Sequence, residues 1–449
     1  MASLGDGIGA RLEAKAASFV KEHRLPGAAV GVVHGDELVW SAGVGFANIA
    51  SRRAPEATTL YRIASITKTF TGTAVMRLRD AGKLRLDDPI GRHLPELAHL
   101  EDVTIRRLLS HESGLQSEPP DTDWRKALYE PSVARNLLRA SEIRATIAPN
   151  TQQKYSNLGF QLLGEIVARC SGMPYPDYVR RQILDPLGMS SSAFEPLPDA
   201  LAARRATGYA GRYLSDELAV SATAPSIGAE GGLWSCVDDL ARWLSYQLTD
   251  DATLREMQRP RYLADDEWTE AFGIAWYAVR QKDVIWVQHS GALHGFRSNV
   301  CFDPRRRVGA IALLNGLADA AALSMALGEI AREAVAALSP HIEAPQATPP
   351  QYRELIGIYY DPDLGVLRRV EWRDAKLTIL DSDAPVWRPT LAPTDDPNIF
   401  VVEPGVRESG ETVVFRRLAD GRVASVFIAA GTWQRLDPVA AQEKVREKR

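Results

Sequence analysis

Ser65-Ile66-Thr67-Lys68 opens a stretch in which Ile66, Phe70, Ala74 and Leu78 recur every four residues, the spacing of one helical face. Gly82 stands just beyond, where a left-handed cap is expected. A serine at the start of a helix meets unpaired N–H groups and the positive end of the dipole. A lysine three residues on shares its face. A serine hydroxyl is a poor nucleophile at neutral pH and needs an adjacent base, which the tetrad supplies. The pattern alone is common. Ser18-Phe19-Val20-Lys21 matches it too, inside a helical stretch, and there reads as surface.

Around the tetrad, residues 10 to 23 read as an amphipathic helix. Ala28 to Val33 and Leu38 to Gly43 read as a hairpin turning at His34-Gly35-Asp36. Residues 85 to 265 carry helical patterns and loops, among them Asn157 to Cys170 and Ser235 to Tyr246, the latter opened by a capping-box-like Ser235 and Asp238. Strands return at Gly273 to Val279, Val284 to Gln288, Phe296 to Phe302 and Val308 to Leu314, and a helix at Ala318 to Leu338 follows. Strands at both ends with helices between predict an α/β domain over 1–338: one antiparallel sheet made by the two ends, flanked by helices, with an all-helical region inserted. The cleft between sheet and insertion is the natural place for a site. Ser339 to Gln351 is Pro-rich and aperiodic, a linker. Residues 352–449 hold short β patterns at Val366 to Trp372, Leu377 to Leu380, Ile399 to Val402, Thr412 to Leu418 and Val423 to Ile428, with the turn pair Asp420-Gly421, predicting a small all-β barrel or sandwich.

Composition narrows the function. The 449 residues are 45% hydrophobic and 24% charged, with a net charge of -4, so nothing suggests nucleic acid or an anionic membrane as partner. No run of eighteen apolar residues spans a bilayer, and Met1 to Arg24 is too polar for a signal peptide. Three distant cysteines, Cys170, Cys236 and Cys301, argue against a disulfide framework and for a cytoplasmic setting.

Two further motifs follow the tetrad. Tyr155-Ser156-Asn157 lies between the turn at Pro149-Asn150 and a helix, at a loop tip where functional residues gather. Tyr155 is a second candidate base, and whether it or Lys68 takes the serine proton stays open. Asn157 serves equally as a substrate contact or as a helix N-cap. His289-Ser290-Gly291 ends a strand. Gly291 permits close backbone approach, and the next N–H, of Ala292, is available to an oxyanion together with that of Ser65. Taken in order, the three motifs point to covalent acyl transfer.

On these residues the chain resembles the serine β-lactamase and penicillin-binding-protein superfamily, more narrowly the class C β-lactamase-like branch of esterases, D-amino-acid peptidases and DD-peptidases. Tyr61-Arg62-Ile63-Ala64, the run Thr104 to Leu115, and Gly231-Gly232-Leu233-Trp234-Ser235 strengthen the resemblance, which covers about residues 15 to 338. It implies that Ser65 is acylated, that Lys68 and Tyr155 share proton transfer, and that Asn157 orients the substrate. It further implies that the Ser65 and Ala292 amides form the oxyanion hole, and that His111 to Leu115 is a structural turn. The segment with Tyr352, Leu355, Gly357 and Tyr359 is similar to the lipocalin-like β domains appended to such hydrolases.

One departure matters. Where carboxylate-gripping relatives carry Lys-Thr-Gly, this chain has His289, at best partly cationic near neutrality. The expectation is therefore a serine hydrolase for small carboxylic esters or amides, without cofactor or metal. The alternatives are a D-amino-acid peptidase, DD-carboxypeptidase or β-lactamase acting on short peptides or lactams, and a penicillin-sensing module that acylates and stalls. A metal hydrolase is disfavoured because His111-Glu112 lacks the second histidine, and an α/β-hydrolase because Gly-x-Ser-x-Gly is absent. Arg305-Arg306-Arg307 reads as a solvated turn. Oligomeric state is not legible.

Overall fold

The computed structural model describes residues 7–119, 137, 139–209, 228–264, 269–281, 284–338, 348–362, 365–373, 375–381, 388–428 and 431–437. The chain divides into two compact units, Met1–Ser339 and Pro340–Arg449. Most of the linker predicted at 339–351 lies outside the described residues.

In the first unit, helix α1 (Ile8–Glu22) buries Leu12, Ala16, Phe19 and Val20, one apolar face at helical spacing. Strands β1 (Gly27–His34) and β2 (Glu37–Gly45) form the predicted hairpin, with Gly35 at φ +62° in the turn. After β3 (Tyr61–Arg62) come α2 (Thr67–Asp80) and α3 (Asn157–Ser171), then β4 (Trp234–Ser235) and α4 (Val237–Gln247). The later strands are β5 (Tyr262–Leu263), β6 (Glu270–Phe272), β7 (Tyr277–Gln281), β8 (Val284–Leu293), β9 (Phe296–Asp303) and β10 (Val308–Leu314), followed by α5 (Ala320–Leu338).

Eight strands make one antiparallel sheet in the order β2-β1-β10-β9-β8-β7-β6-β5. β1 pairs with β10 from Ala28↔Leu314 to His34↔Val308, so the two ends of the unit do build one sheet. Both strands are buried on both faces, which is why they read as continuous apolar runs without alternation. On one face Leu12 and Phe19 of α1 and Leu323 and Leu327 of α5 pack with Val30, Trp286 and Cys301. On the other, Val33, Val300 and Phe302 meet the inserted helices through Phe70, Leu162 and Trp243. Gly82, at φ +69°, ends α2 as predicted, its N–H donating to Arg79 O and that of Lys83 to Leu78 O.

Three expectations are corrected. The strand placed at Gly273 to Val279 is a turn followed by β7. Gly273 N–H donates to Trp276 O and Ala275 N–H to Leu109 O, and a Cβ on Gly273 would lie 2.3 Å from Met257 O. Ser235 does not cap α4. It lies in β4 with its hydroxyl 2.8 Å from Ser192 Oγ, and the cap position falls to Cys236. The third motif does not end its strand, because β8 runs on to Leu293.

The second unit is a closed eight-stranded antiparallel barrel. Five of its strands, Val366–Arg373, Lys376–Asp381, Ile399–Val402, Thr412–Arg417 and Val423–Ile428, lie where the sequence predicts them. Gly357–Asp361, Thr390–Pro393 and Gly431–Leu436 are additional. The first and last close the barrel through Ile358↔Leu436. Tyr359, Ile379, Phe400, Phe415 and Val426 fill its core, and Asp420-Gly421 turns the hairpin with Gly421 at φ +86°. Among the described residues no helix is long and apolar enough to cross a membrane.

Candidate active site

Ser65 lies one step earlier than a helix start, in a 3₁₀ turn (Ala64–Ile66) that feeds α2. Ala64 immediately before it has φ +46°, a left-handed conformation that costs a residue bearing Cβ on the order of 1–3 kcal/mol. The neighbours hold the turn in place. Thr67 Oγ1 donates to Ala64 O at 2.7 Å, Leu233 N–H donates to Thr67 Oγ1, and Ser298 Oγ donates to Ile63 O at 2.9 Å. Ala64 and Ile66 are buried while Ser65 keeps partial exposure, so the strained turn lifts one hydroxyl into the cleft.

Lys68 is fully buried. Its Nζ lies 2.7 Å from Asn157 Oδ1, 2.6 Å from the Glu230 carbonyl oxygen and 3.1 Å from Ser65 Oγ. The first two partners only accept, so they take two N–H bonds of the amine. Its remaining valence therefore faces Ser65: a proton in the ammonium, a lone pair in the neutral amine. The same geometry serves general-base and general-acid steps.

Tyr155 stands beside this pair, with Lys68 Nζ 4.9 Å from its ring centroid. His111 supports it from behind, at 4.3 Å between ring centroids, and Nδ1 of His111 accepts the Ser156 N–H at 3.2 Å. Because Nδ1 accepts, neutral His111 carries its proton on Nε2. Burial first, then the neighbouring Lys68, push its pKa well down. Ser156, not Asn157, caps α3: Ser156 Oγ accepts from Gly159 N–H. That leaves the Asn157 amide free for the site, and its Nδ2 donates to Glu118 Oε1 at 2.6 Å.

His289 is buried, and its Nδ1 lies 2.7 Å from the Ser290 carbonyl oxygen, so Nδ1 bears the hydrogen. Burial, and then the Lys68 charge, push its pKa down to about 3. At neutral pH this imidazole is uncharged. Ser290 Oγ accepts from Asn299 Nδ2 at 2.8 Å, and Asn299 in turn accepts from Ser324 on α5. The β7 pairing of β8 stops at Tyr277↔Gln288. Among the described residues, His289 to Leu293 thus present one strand edge without a strand partner, and Ala292 lies on it.

A cavity of about 790 Å³ joins these parts, lined by Ser65, Tyr155, Asn157, His289, Ser290, Gly291 and Ala292 together with Glu230, Glu270, Tyr277, Arg297 and Leu317. Every predicted site residue except Lys68 lines it, and Lys68 reaches it through Ser65. Glu118 and Glu230 escaped the sequence reading. Glu230 is 4% exposed, with Oε1 accepting from Gln161 Nε2 and Oε2 lacking a partner. Burial above all pushes its carboxyl up to about 7. The one sequence signal near it was its position directly before Gly231-Gly232.

The profile of the Beta-lactamase family matches residues 12–332. Protein flp of Staphylococcus aureus (strain COL) is 24% identical over 322 residues, covering 66% of this chain and 61% of that protein. Beta-lactamase-like protein 2 of Dictyostelium discoideum is 30% identical over 317 residues, covering 65% and 56%. The chain therefore spans less than two thirds of either relative. Among solved structures, the octameric penicillin-binding protein homologue of Pyrococcus abyssi superimposes at a TM-score of 0.64 with 22% identity, covering 94% of this chain and 99% of that one. The Yersinia pestis beta-lactamase/D-alanine carboxypeptidase complexed with citrate gives 0.63 with 21% identity, covering 73% and 98%. At such identities the two structures speak for the fold.

Proposed function

Since the chain belongs to the beta-lactamase family, we propose that it is a serine hydrolase that cleaves small carboxylic esters or amides through an acyl-enzyme on Ser65. The observation that carries this reading is the buried Lys68 amine, 3.1 Å from Ser65 Oγ with its other two bonds committed. Ser65 Oγ attacks the carbonyl carbon as its proton passes to Lys68 or Tyr155. The oxyanion is met by the N–H groups of Ser65 and Ala292, such donors being worth roughly 100- to 1000-fold in rate. The tetrahedral intermediate expels the alcohol or amine, which takes up the proton. Water then repeats the sequence on the acyl-enzyme and restores Ser65. Asn157 holds the substrate amide or ester while its Oδ1 keeps Lys68 aimed.

Neutral His289 supports substrates without an obligatory carboxylate at that position. The competing reading is a D-amino-acid peptidase, DD-carboxypeptidase or β-lactamase. It is favoured by the name of the family and by those of the Dictyostelium discoideum relative and the Yersinia pestis neighbour. Three free thiols fit a reducing, cytoplasmic setting.

The test is a panel of p-nitrophenyl esters, D- and L-aminoacyl amides and nitrocefin, run on wild type and Ser65→Ala. Steady ester turnover that vanishes in Ser65→Ala supports the reading. A single burst without turnover would instead mark an acylating sensor. A fluorophosphonate should label the peptide carrying Ser65, and Lys68→Ala should abolish the labelling; label on Ser18 would overturn the assignment.

A further inference from the structure

We propose that Arg297 anchors an anionic group of the substrate, so that the preferred acyl groups are short chains ending in a carboxylate, as in half-esters or half-amides of dicarboxylic acids. This rests on the serine hydrolase reading above and names the substrate class of that site.

The cleft itself makes the case. Among the described residues that line it, Arg297 is the only lysine or arginine. Lys68 is buried behind Ser65 with its bonds committed, and His289 on β8 is neutral. Arg297 sits on β9 directly across from Ala292 on β8. Residues opposed in this way have Cβ atoms about 5 Å apart. If the Ala292 N–H holds the acyl oxygen, the guanidinium is within side-chain reach of the acyl chain. One of its N–H groups is used, by Phe296 O at 2.9 Å, and no carboxylate pairs with it among the described residues. A half-buried guanidinium without a counter-ion is poorly solvated, and gains from a bidentate carboxylate what it has lost from water. Leu317, 49% exposed, lines the same cleft and supplies an apolar surface for the intervening methylenes.

The acids that line the cleft form no ion pair with Arg297 among the described residues, and burial alone lowers its pKa. Asp319 Oδ1 accepts the N–H groups of Ala321 and Ala322 at the start of α5. Glu230 is pushed up to about 7 and sits by Gln161. Glu270 pairs with Val279, which pairs with Trp286, and that level of β8 is six residues, roughly 20 Å of strand, from Ala292. The anion site thus lies at one end of a long cleft.

The test compares p-nitrophenyl hexanoate with mono-p-nitrophenyl adipate, six-carbon acyl groups that differ by a terminal carboxylate, with spontaneous hydrolysis subtracted. The adipate-to-hexanoate ratio of kcat/KM should fall roughly tenfold to a hundredfold in Arg297→Ala, mainly through KM, and recover in part in Arg297→Lys. In the wild type the ratio should fall as salt rises. If Arg297→Ala does not fold, the Arg297→Lys ratio and the wild-type salt dependence decide. A ratio unmoved by substitution and by salt overturns the proposal while hydrolysis lost in Ser65→Ala leaves the function standing. Hydrolysis of both esters surviving in Ser65→Ala removes both.

Discussion

The carbonyl oxygen of Ile63 occupies the space where Gly291 would carry a side chain: a Cβ built there lies 2.1 Å from it and 2.4 Å from Ser298 Oγ. The missing side chain lets β8 close against the backbone two residues before Ser65, and so fixes the spacing between the proposed nucleophile and the strand edge that carries Ala292. Gly291→Ala must push the two apart. Misplacement by about 1 Å costs roughly a hundredfold in rate, so kcat/KM for a p-nitrophenyl ester should drop at least that far, with the circular dichroism spectrum retained. Activity within threefold of wild type would show that the contact does not set the geometry.

His111 joins two tasks that substitutions can separate. Its ring backs Tyr155, and its Nδ1 takes the Ser156 N–H. His111→Asn keeps an acceptor near the Nδ1 position and loses the stacked ring, so kcat should fall roughly tenfold with KM little changed. His111→Phe keeps a ring and leaves the Ser156 N–H unpaired in a buried place, which costs about 1–3 kcal/mol of stability. Urea unfolding and steady-state kinetics on both variants check the division. Equal behaviour of the two would sink it.

The neutral state of His289 has a consequence for selectivity. A lysine at this position places a cation on β8 beside the cleft, so His289→Lys should raise relative turnover of carboxylate-bearing substrates over neutral esters by roughly tenfold. Paired kcat/KM values on the adipate and hexanoate esters measure it. An unchanged ratio refutes the link between this residue and anion selection.

How far the chain could be read before its structure follows from the range of each interaction. The pairing of Lys68 with Ser65 is local, three residues on one turn, and the buried β1 and β10 announce themselves as apolar runs. Ser156 and Asn157 are adjacent and both good caps, so which one caps α3 depends on Lys68 and Glu118 arriving from elsewhere to claim Asn157. Glu230 grips Lys68 through its backbone carbonyl, an interaction any residue type can make. It leaves no trace in sequence. The barrel strand Thr390–Pro393 has four residues and ends in proline, and Gly431–Leu436 opens on glycine, both weak strand signals, so only closure of the barrel defines them. The depressed pKa of His289 is a property of burial, which the residue's identity does not carry.

Two buried groups make stability respond to pH in opposite directions. Glu230, pushed up to about 7 against an ordinary glutamate near 4.3, holds a proton in the folded state that the unfolded chain has released. Between those values the folded state binds more protons, so its contribution weakens stability as pH rises through the window. His289, pushed down to about 3, does the reverse. Below about 6.5 the unfolded chain takes a proton that the folded state refuses, so stability falls as pH drops towards 3. Glu230→Gln removes the first effect alone. Relative to wild type it should gain on the order of 2–3 kcal/mol more at pH 8 than at pH 4.5, read from urea unfolding at the two pH values. It should leave the loss on the acid side intact. Equal differences at both pH values would mean that Glu230 is ionised in the folded protein and that its unpartnered oxygen is met by water from the cleft.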